Sequence, residues 1–370
     1  MNKEIFSNIN KIIERDSKVT TYKFALLRGV IDIIQENSPF IEIKEARIYI
    51  PTGLLIEKWL LYYYPILESK KLIPQINGEI NLAFGNQFLS IIDSYKKIGG
   101  FSVFYNDLKT KGIHPDLAQD FIELVKSLNN TITRMPMKYI GRSISHDYYS
   151  IFNYENGKRN IIPSVLDRSF LVRNFGSFSI PVEYYDAFRI IGSFINGSDS
   201  ILFKWAEFSV NASGKTLSFE KVVNEVLKLP ITEREIRESK KIYNDVLFKQ
   251  GSVYCVWTGK KINKFDVDHM VPFSVWKNND LWNLLPSEPV TNNKKRNKIP
   301  SVELIERQKK HILDYWGLIN EKHNERFMKE IQISLLGNVQ NKNWQNDAFD
   351  RLKNSCSYLI NNRGYEEWKI

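Results

Sequence analysis

The stretch Phe265-Asp266-Val267-Asp268-His269-Met270-Val271-Pro272 continues through Trp282-Asn283-Leu284-Leu285-Pro286. It closes with Thr291-Asn292-Asn293-Lys294-Lys295-Arg296-Asn297-Lys298-Ile299-Pro300, and the rest of the chain is organised around it. Its first residues alternate in character, which suits a strand, and successive side chains on a strand point to opposite faces. Asp268 and His269 therefore face opposite ways although they are neighbours in sequence. A carboxylate oxygen is the hard ligand that Mg²⁺ takes, and an imidazole with a pKa near neutrality suits a general base. One dipeptide thus places a divalent cation on one side of a phosphate and a proton acceptor on the other. Asn292 and Lys295 stand three apart at the start of an expected helix and share a face. Asn292 offers the cation a second oxygen, and Lys295 meets a phosphate. Asp266, on the strand face of Asp268, stands either at the metal or behind its ligands. Such a set fits a one-metal phosphodiesterase.

The ordered set Asp268-His269, Asn283 and Asn292-x-x-Lys295, spaced His-x13-Asn-x8-Asn, resembles the HNH, or ββα-metal, endonucleases. Cys255-Val256-Trp257-Thr258-Gly259-Lys260-Lys261-Ile262 is similar to the hairpin that opens many HNH domains. Asp266-Val267-Asp268-His269 with Lys298-Ile299-Pro300-Ser301 resembles the HNH domain of RNA-guided CRISPR effector nucleases. The likeness covers about residues 250 to 302, and neither a partner nuclease domain nor a guide-binding lobe accompanies it. It implies that His269 is the general base, that Asp268 and Asn292 hold Mg²⁺ or Mn²⁺, and that Asn283 orders the loop and orients the histidine. Asn293 competes with Asn292 for the metal, but choosing it shifts Lys295-x-x-Lys298-Ile299-Pro300 out of the family register. Lys294, Lys295, Arg296 and Lys298 suit contacts to nucleic-acid phosphates beside such a site; a solvated basic face has the same composition. Many HNH domains also carry two Cys-x-x-Cys pairs around a structural zinc. Here Thr258 stands where a second cysteine would follow Cys255, and the chain has two cysteines in all, so no structural zinc is expected. The hairpin is then expected to be held by packing through Tyr254, Trp257 and Trp282.

Composition sets the frame. Hydrophobic residues make up 43% and charged residues 25% of 370 residues, as in folded globular chains. The formal net charge of +10 favours a polyanionic partner. Without a disulfide framework, a signal core or a run of about 20 apolar residues, the sequence fits a reducing cytoplasm and no membrane.

The expected fold class is α+β and mainly helical. Helices are expected over 20–35, 51–64 (ending near Pro65), 86–98, 115–133, 184–195, 201–210, 219–227, 232–248, 320–335 and 344–360. A further helix is expected to run from an N-cap at Ser301 to Tyr315. Residues 41–50 suit a strand or an extended segment, and 148–154 a strand entering an Asn156-Gly157 hairpin turn. Three regions follow: 1–235, mostly helical, for target recognition or partner binding; 236–320, the nuclease domain; and 321–370, helices packing on the rest. The aromatic cluster Trp59, Tyr62, Tyr63 and Tyr64 suits a core or, alternatively, base stacking. Arg134 to Arg142 suits either a phosphate contact or a solvated connector, and His146-Asp147, with nothing downstream to complete it, is structural.

The function these features point to is metal-dependent DNA hydrolysis, and the resemblance to stand-alone bacterial HNH proteins implies a role in restriction or anti-phage defence. Two alternatives stand beside it: a catalytically silent HNH fold that binds DNA, and a structure-specific or RNA-directed nuclease subunit of a larger defence complex. One site cuts one strand, so a double-strand break calls for a homodimer or two successive events.

Overall fold

A computed structural model of the chain describes residues 3–14, 18–70, 72–77, 82–140, 150–157, 165–196, 201–230 and 232–370. Helices dominate, with small sheets, and the chain forms two compact units. The first comprises Met1–Asn37 and Ile41–Ile231, the second Ser38–Phe40 and Thr232–Ile370.

In the first unit two helices, Tyr22–Gln35 and Thr52–Glu68, are buried on almost every side, as their nearly continuous apolar sequences require. The second does not stop near Pro65 but carries it inside, because Tyr62, Tyr63, Tyr64 and Ile66 are all buried and packing outweighs one missing hydrogen bond. Gly53 lets the Arg168–Asn174 helix approach: a Cβ there would lie 2.0 Å from the Leu171 carbonyl oxygen. The aromatic cluster is core. Tyr63 bonds Thr21 at 3.0 Å, Tyr62 donates to Asp32 at 2.5 Å, and Trp59 packs against Tyr22 and Phe84. None of these rings is free to stack on a base.

The predicted extended segment is a hairpin of β1 (Glu42–Lys44) and β2 (Arg47–Pro51). These strands join β3 (Asn153–Glu155) and β4 (Ser177–Pro181) in an antiparallel sheet of order β1-β2-β4-β3. β3 pairs with the later strand β4, and the far side of the expected Asn156-Gly157 turn lies outside the described residues. His146, Asp147 and Arg142, and the start of the strand expected from Tyr148, lie outside the described residues.

The second unit has its own core. Tyr243, Trp257, Trp282, Trp316, Phe327 and Phe349 are fully buried in one apolar cluster running from Ile242 to Trp368. Its strands pair as β5 (Val253–Tyr254) with β6 (Lys261–Ile262), β7 (Asp266–His269) with β8 (Leu284–Ser287), and β9 (Ile299–Pro300) with β10 (Glu367–Trp368). The last pair is parallel. Ser301 caps the Val302–Arg307 helix, its hydroxyl accepting from the Leu304 N–H at 3.1 Å. The Lys309–Ile331 helix then runs through a kink at His323, merging what the sequence suggested as two helices.

One predicted helix starts late. It spans Arg237–Gln250, not 232–248, and residues 232–236 are a non-helical arm. Two contacts hold the arm open: the Glu235 carboxylate accepts the Arg237 N–H at 2.9 Å, and the Glu233 carbonyl accepts from Asn279 at 2.8 Å.

Candidate active site

The β7–β8 pairing sets the site. Asp268 faces Leu285 and His269 faces Leu284 across the ladder. Beyond it the Met270 N–H donates to the Asn283 carbonyl at 2.8 Å. The Asn283 side chain then clasps Val271 from both ends, accepting its N–H at 2.8 Å and donating to its carbonyl at 3.0 Å. Asn283 is fully buried and fixes the turn that leaves the strand just past His269. Tyr243 and Trp316 anchor the same turn from below, donating to the carbonyls of Leu284 at 2.7 Å and Trp282 at 2.9 Å.

His269 is buried, with its Nε2 3.1 Å from the Asn279 Oδ1. The proton position follows from the next bond. Asn279 donates its amide N–H to the Glu233 carbonyl at 2.8 Å, and a carbonyl only accepts, so the Asn279 oxygen must face the imidazole. Nε2 therefore carries the hydrogen, and Nδ1 is left with the lone pair. Burial, opposed by the Asn279 bond and reinforced by the charges of Arg234 and Lys295, pushes the imidazole down to about 4. The ring is neutral at physiological pH, the form a general base needs.

The opposite strand face is ionic. Asp268 accepts from the Trp257 indole at 2.7 Å and from the Lys295 ammonium at 3.2 Å, and that ammonium also donates to the His269 carbonyl at 2.6 Å. Burial raises the Asp268 carboxyl pKa, and Lys295 and the Trp257 bond pull it back down. Lys295 is fully buried, so it does not lie on the exposed basic face where the sequence put it. Of its neighbours in that run, Lys294 and Arg296 are exposed, and Lys298 is paired with Glu366. The run thus divides: two residues are available to solvent, and one braces the strand.

Asn292 reaches the same face, its amide nitrogen 3.5 Å from the less buried carboxylate of Asp266, while Asn293 is exposed. Asp266 and Asp268 thus bring carboxylate oxygens to one side of β7, with the Asn292 amide beside them. Among the described residues no cluster of three or more His, Cys, Asp or Glu side chains could hold a metal. Mg²⁺ asks for less than that, keeping waters and substrate oxygens around one or two protein carboxylates. A carboxylate also has about four acceptor positions, of which Lys295 and Trp257 use two in Asp268. The donor set fits such an ion.

The hairpin is tied without four thiolates. Buried Cys255 accepts the Glu288 N–H through its sulfur at 3.3 Å and lies 3.8 Å from the Ser287 hydroxyl, and Thr291 donates to Glu288 at 3.1 Å. Tyr315 exchanges two hydrogen bonds with the Tyr254 backbone, and Trp257 and Trp282 are buried beneath.

Sequence reasoning missed Asn279, Glu233 and Arg234. Asn279 sits in the polar turn Asn278-Asn279-Asp280, whose only visible signal is turn composition. Glu233 acts through its backbone, which no side-chain pattern reveals.

A model of the HNH endonuclease family matches residues 255–301, so the segment holding β7, β8 and Asn292 is an HNH-superfamily segment. A second model, that of DUF8808, a domain of unknown function, matches residues 2–226. That is more than half of the chain, which therefore belongs to the DUF8808 family. No curated protein and no solved structure matches it. Among the described residues no helix is long and apolar enough to cross a membrane.

Proposed function

We propose that the chain is a metal-dependent endonuclease that hydrolyses DNA, with residues 1–235 selecting the target. The observation that carries this is the division of β7: His269, neutral and with Nδ1 unprotonated, on one face, and Asp266, Asp268 and Asn292 on the other. His269 Nδ1 takes a proton from water, and the water oxygen attacks phosphorus in line with the leaving 3′ oxygen. Asn279 occupies Nε2 and so leaves the Nδ1 lone pair for the water, and Asn283 fixes the backbone that follows. Asp268 and Asn292, with Asp266 beside them, would hold Mg²⁺ or Mn²⁺, which supplies positive charge against the developing phosphorane and leaving oxygen. Lys295 opposes the rise that burial gives the Asp268 carboxyl pKa and holds the side chain in place. The products carry 5′-phosphate and 3′-hydroxyl ends.

The test is supercoiled plasmid with Mg²⁺, wild type against His269→Ala. Cleavage that depends on both the ion and His269 is the expected result; equal cutting by both proteins removes this assignment of the site.

A further inference from the structure

We infer that Arg234 and Lys277 form a phosphate clamp beside His269, gripping the nucleic-acid backbone next to the scissile group. Arg234 lies outside the HNH-like segment and Lys277 lies inside it but away from its Asp-His, Asn and Asn-x-x-Lys motifs, and the two arrive from different directions: Arg234 from the non-helical arm, Lys277 from the turn after the Phe273–Trp276 helix. Both converge on one ring. The Arg234 guanidinium lies over Phe273 at 5.9 Å from its centroid, and the Lys277 ammonium at 5.3 Å. The centroid of the same ring stands 5.5 Å from that of His269.

Three further observations point to a polyanion. Both cations are exposed, and among the described residues neither has a carboxylate partner. Of the acids around the arm, Glu235 is paired with Arg237, and Glu238 and Glu330 with Arg326, while the exposed Glu233 carboxylate has no ion pair among the described residues. Lys277 also adopts a left-handed backbone, φ 48°, an arrangement that favours Gly or Asn. Cation–π contact with Phe273 limits the wandering of both side chains before any ligand arrives.

The clamp rests on the nuclease reading for the identity of its polyanion, a phosphodiester chain, and a binding measurement separates the two. Full-length protein in EDTA is titrated onto a fluorescein-labelled DNA duplex over a range of NaCl concentrations. Each phosphate contact contributes about 0.9 to the slope of log K against log salt. Arg234→Gln and Lys277→Gln should each reduce the slope by about one, and the double variant by about two. Arg234→Lys and Lys277→Arg should keep it. Lys249→Gln, at the other end of the Arg237–Gln250 helix, controls for net charge, and melting curves control for folding. In Mg²⁺ the double variant should cut about tenfold or more slowly, as loss of charged hydrogen bonds implies. A wild-type salt slope in the double variant overturns the clamp, and the nuclease assignment survives if wild type still cuts. A reduced slope in a protein that cuts with neither Mg²⁺ nor Mn²⁺ leaves the clamp standing and removes the nuclease assignment. Failure of the wild type to bind DNA at all overturns the clamp.

Discussion

At the scale of single residues the site depends on two side chains that burial treats in opposite ways. His269 is driven towards its neutral form, and His269→Ala should slow plasmid cleavage by about 10²–10⁴-fold while leaving DNA affinity unchanged. Stability carries the same signature. The folded pKa, about 4, lies below the ordinary 6.5, so the unfolded chain takes up the proton first as pH falls. Stability is then full above pH 6.5 and is lost towards pH 4, by on the order of 3 kcal/mol from this group. Melting temperature should fall less steeply over that window in His269→Ala, and equal slopes would contradict the burial of the ring. Lys295 is the counterpart. Replacing it with Met leaves Asp268 buried beside Trp257 without its cation, which should cost about 3–5 kcal/mol and show as a large drop in denaturation midpoint. In the sequence Lys295 is set apart from Lys294 by its spacing from Asn292, but that spacing points it at a phosphate and gives no sign of burial against Asp268. Only the docking of the Pro289–Lys295 helix against β7 turns one lysine of the run inward.

At the scale of elements the β7–β8 ladder and the turn between them form one unit. Asn283→Ala removes both bonds to Val271 and leaves a buried N–H and a buried carbonyl unpaired, at about 1–3 kcal/mol each. The variant should therefore be less stable, and it should lose cleavage because His269 is no longer held; full activity would mean that the clasp is dispensable. The strand, the Ser301 cap and the order Asp268-His269, Asn283, Asn292 were all legible, because each is a local pattern with a local cause. The arm was not. Glu235 and Arg237 lie within a highly charged stretch that scores as helix, and what holds 232–236 open is a side chain from residue 279, distant in sequence. A chain beginning at residue 232 should accordingly keep the Nε2–H tautomer of His269 by ¹⁵N NMR, whereas one beginning at 238 should show a mixture.

At the scale of the whole molecule, two units with separate cores suggest a division of labour between DUF8808 and HNH segments. Residues 232–370 alone should fold but lose target discrimination and most affinity; equal selectivity for short and full chains would refute the division. The single Asp-His set further predicts that plasmid passes through a nicked form at low protein concentration, followed by electrophoresis with light scattering to fix the mass. Linear product with no nicked species at any concentration, from a monomer, would defeat it. The parallel pair β9–β10 adds a constraint in time. Trp368 packs edge-on against Trp257 at 5.2 Å, and Trp257 holds Asp268. That buttress is synthesised about a hundred residues after the Asp268-His269 dipeptide, and chains grow at roughly 5–20 residues per second. A ribosome-bound chain thus carries Asp268 and His269 for several seconds without the piece that braces them, and the packing around Asp268 is complete only once β10 has been made.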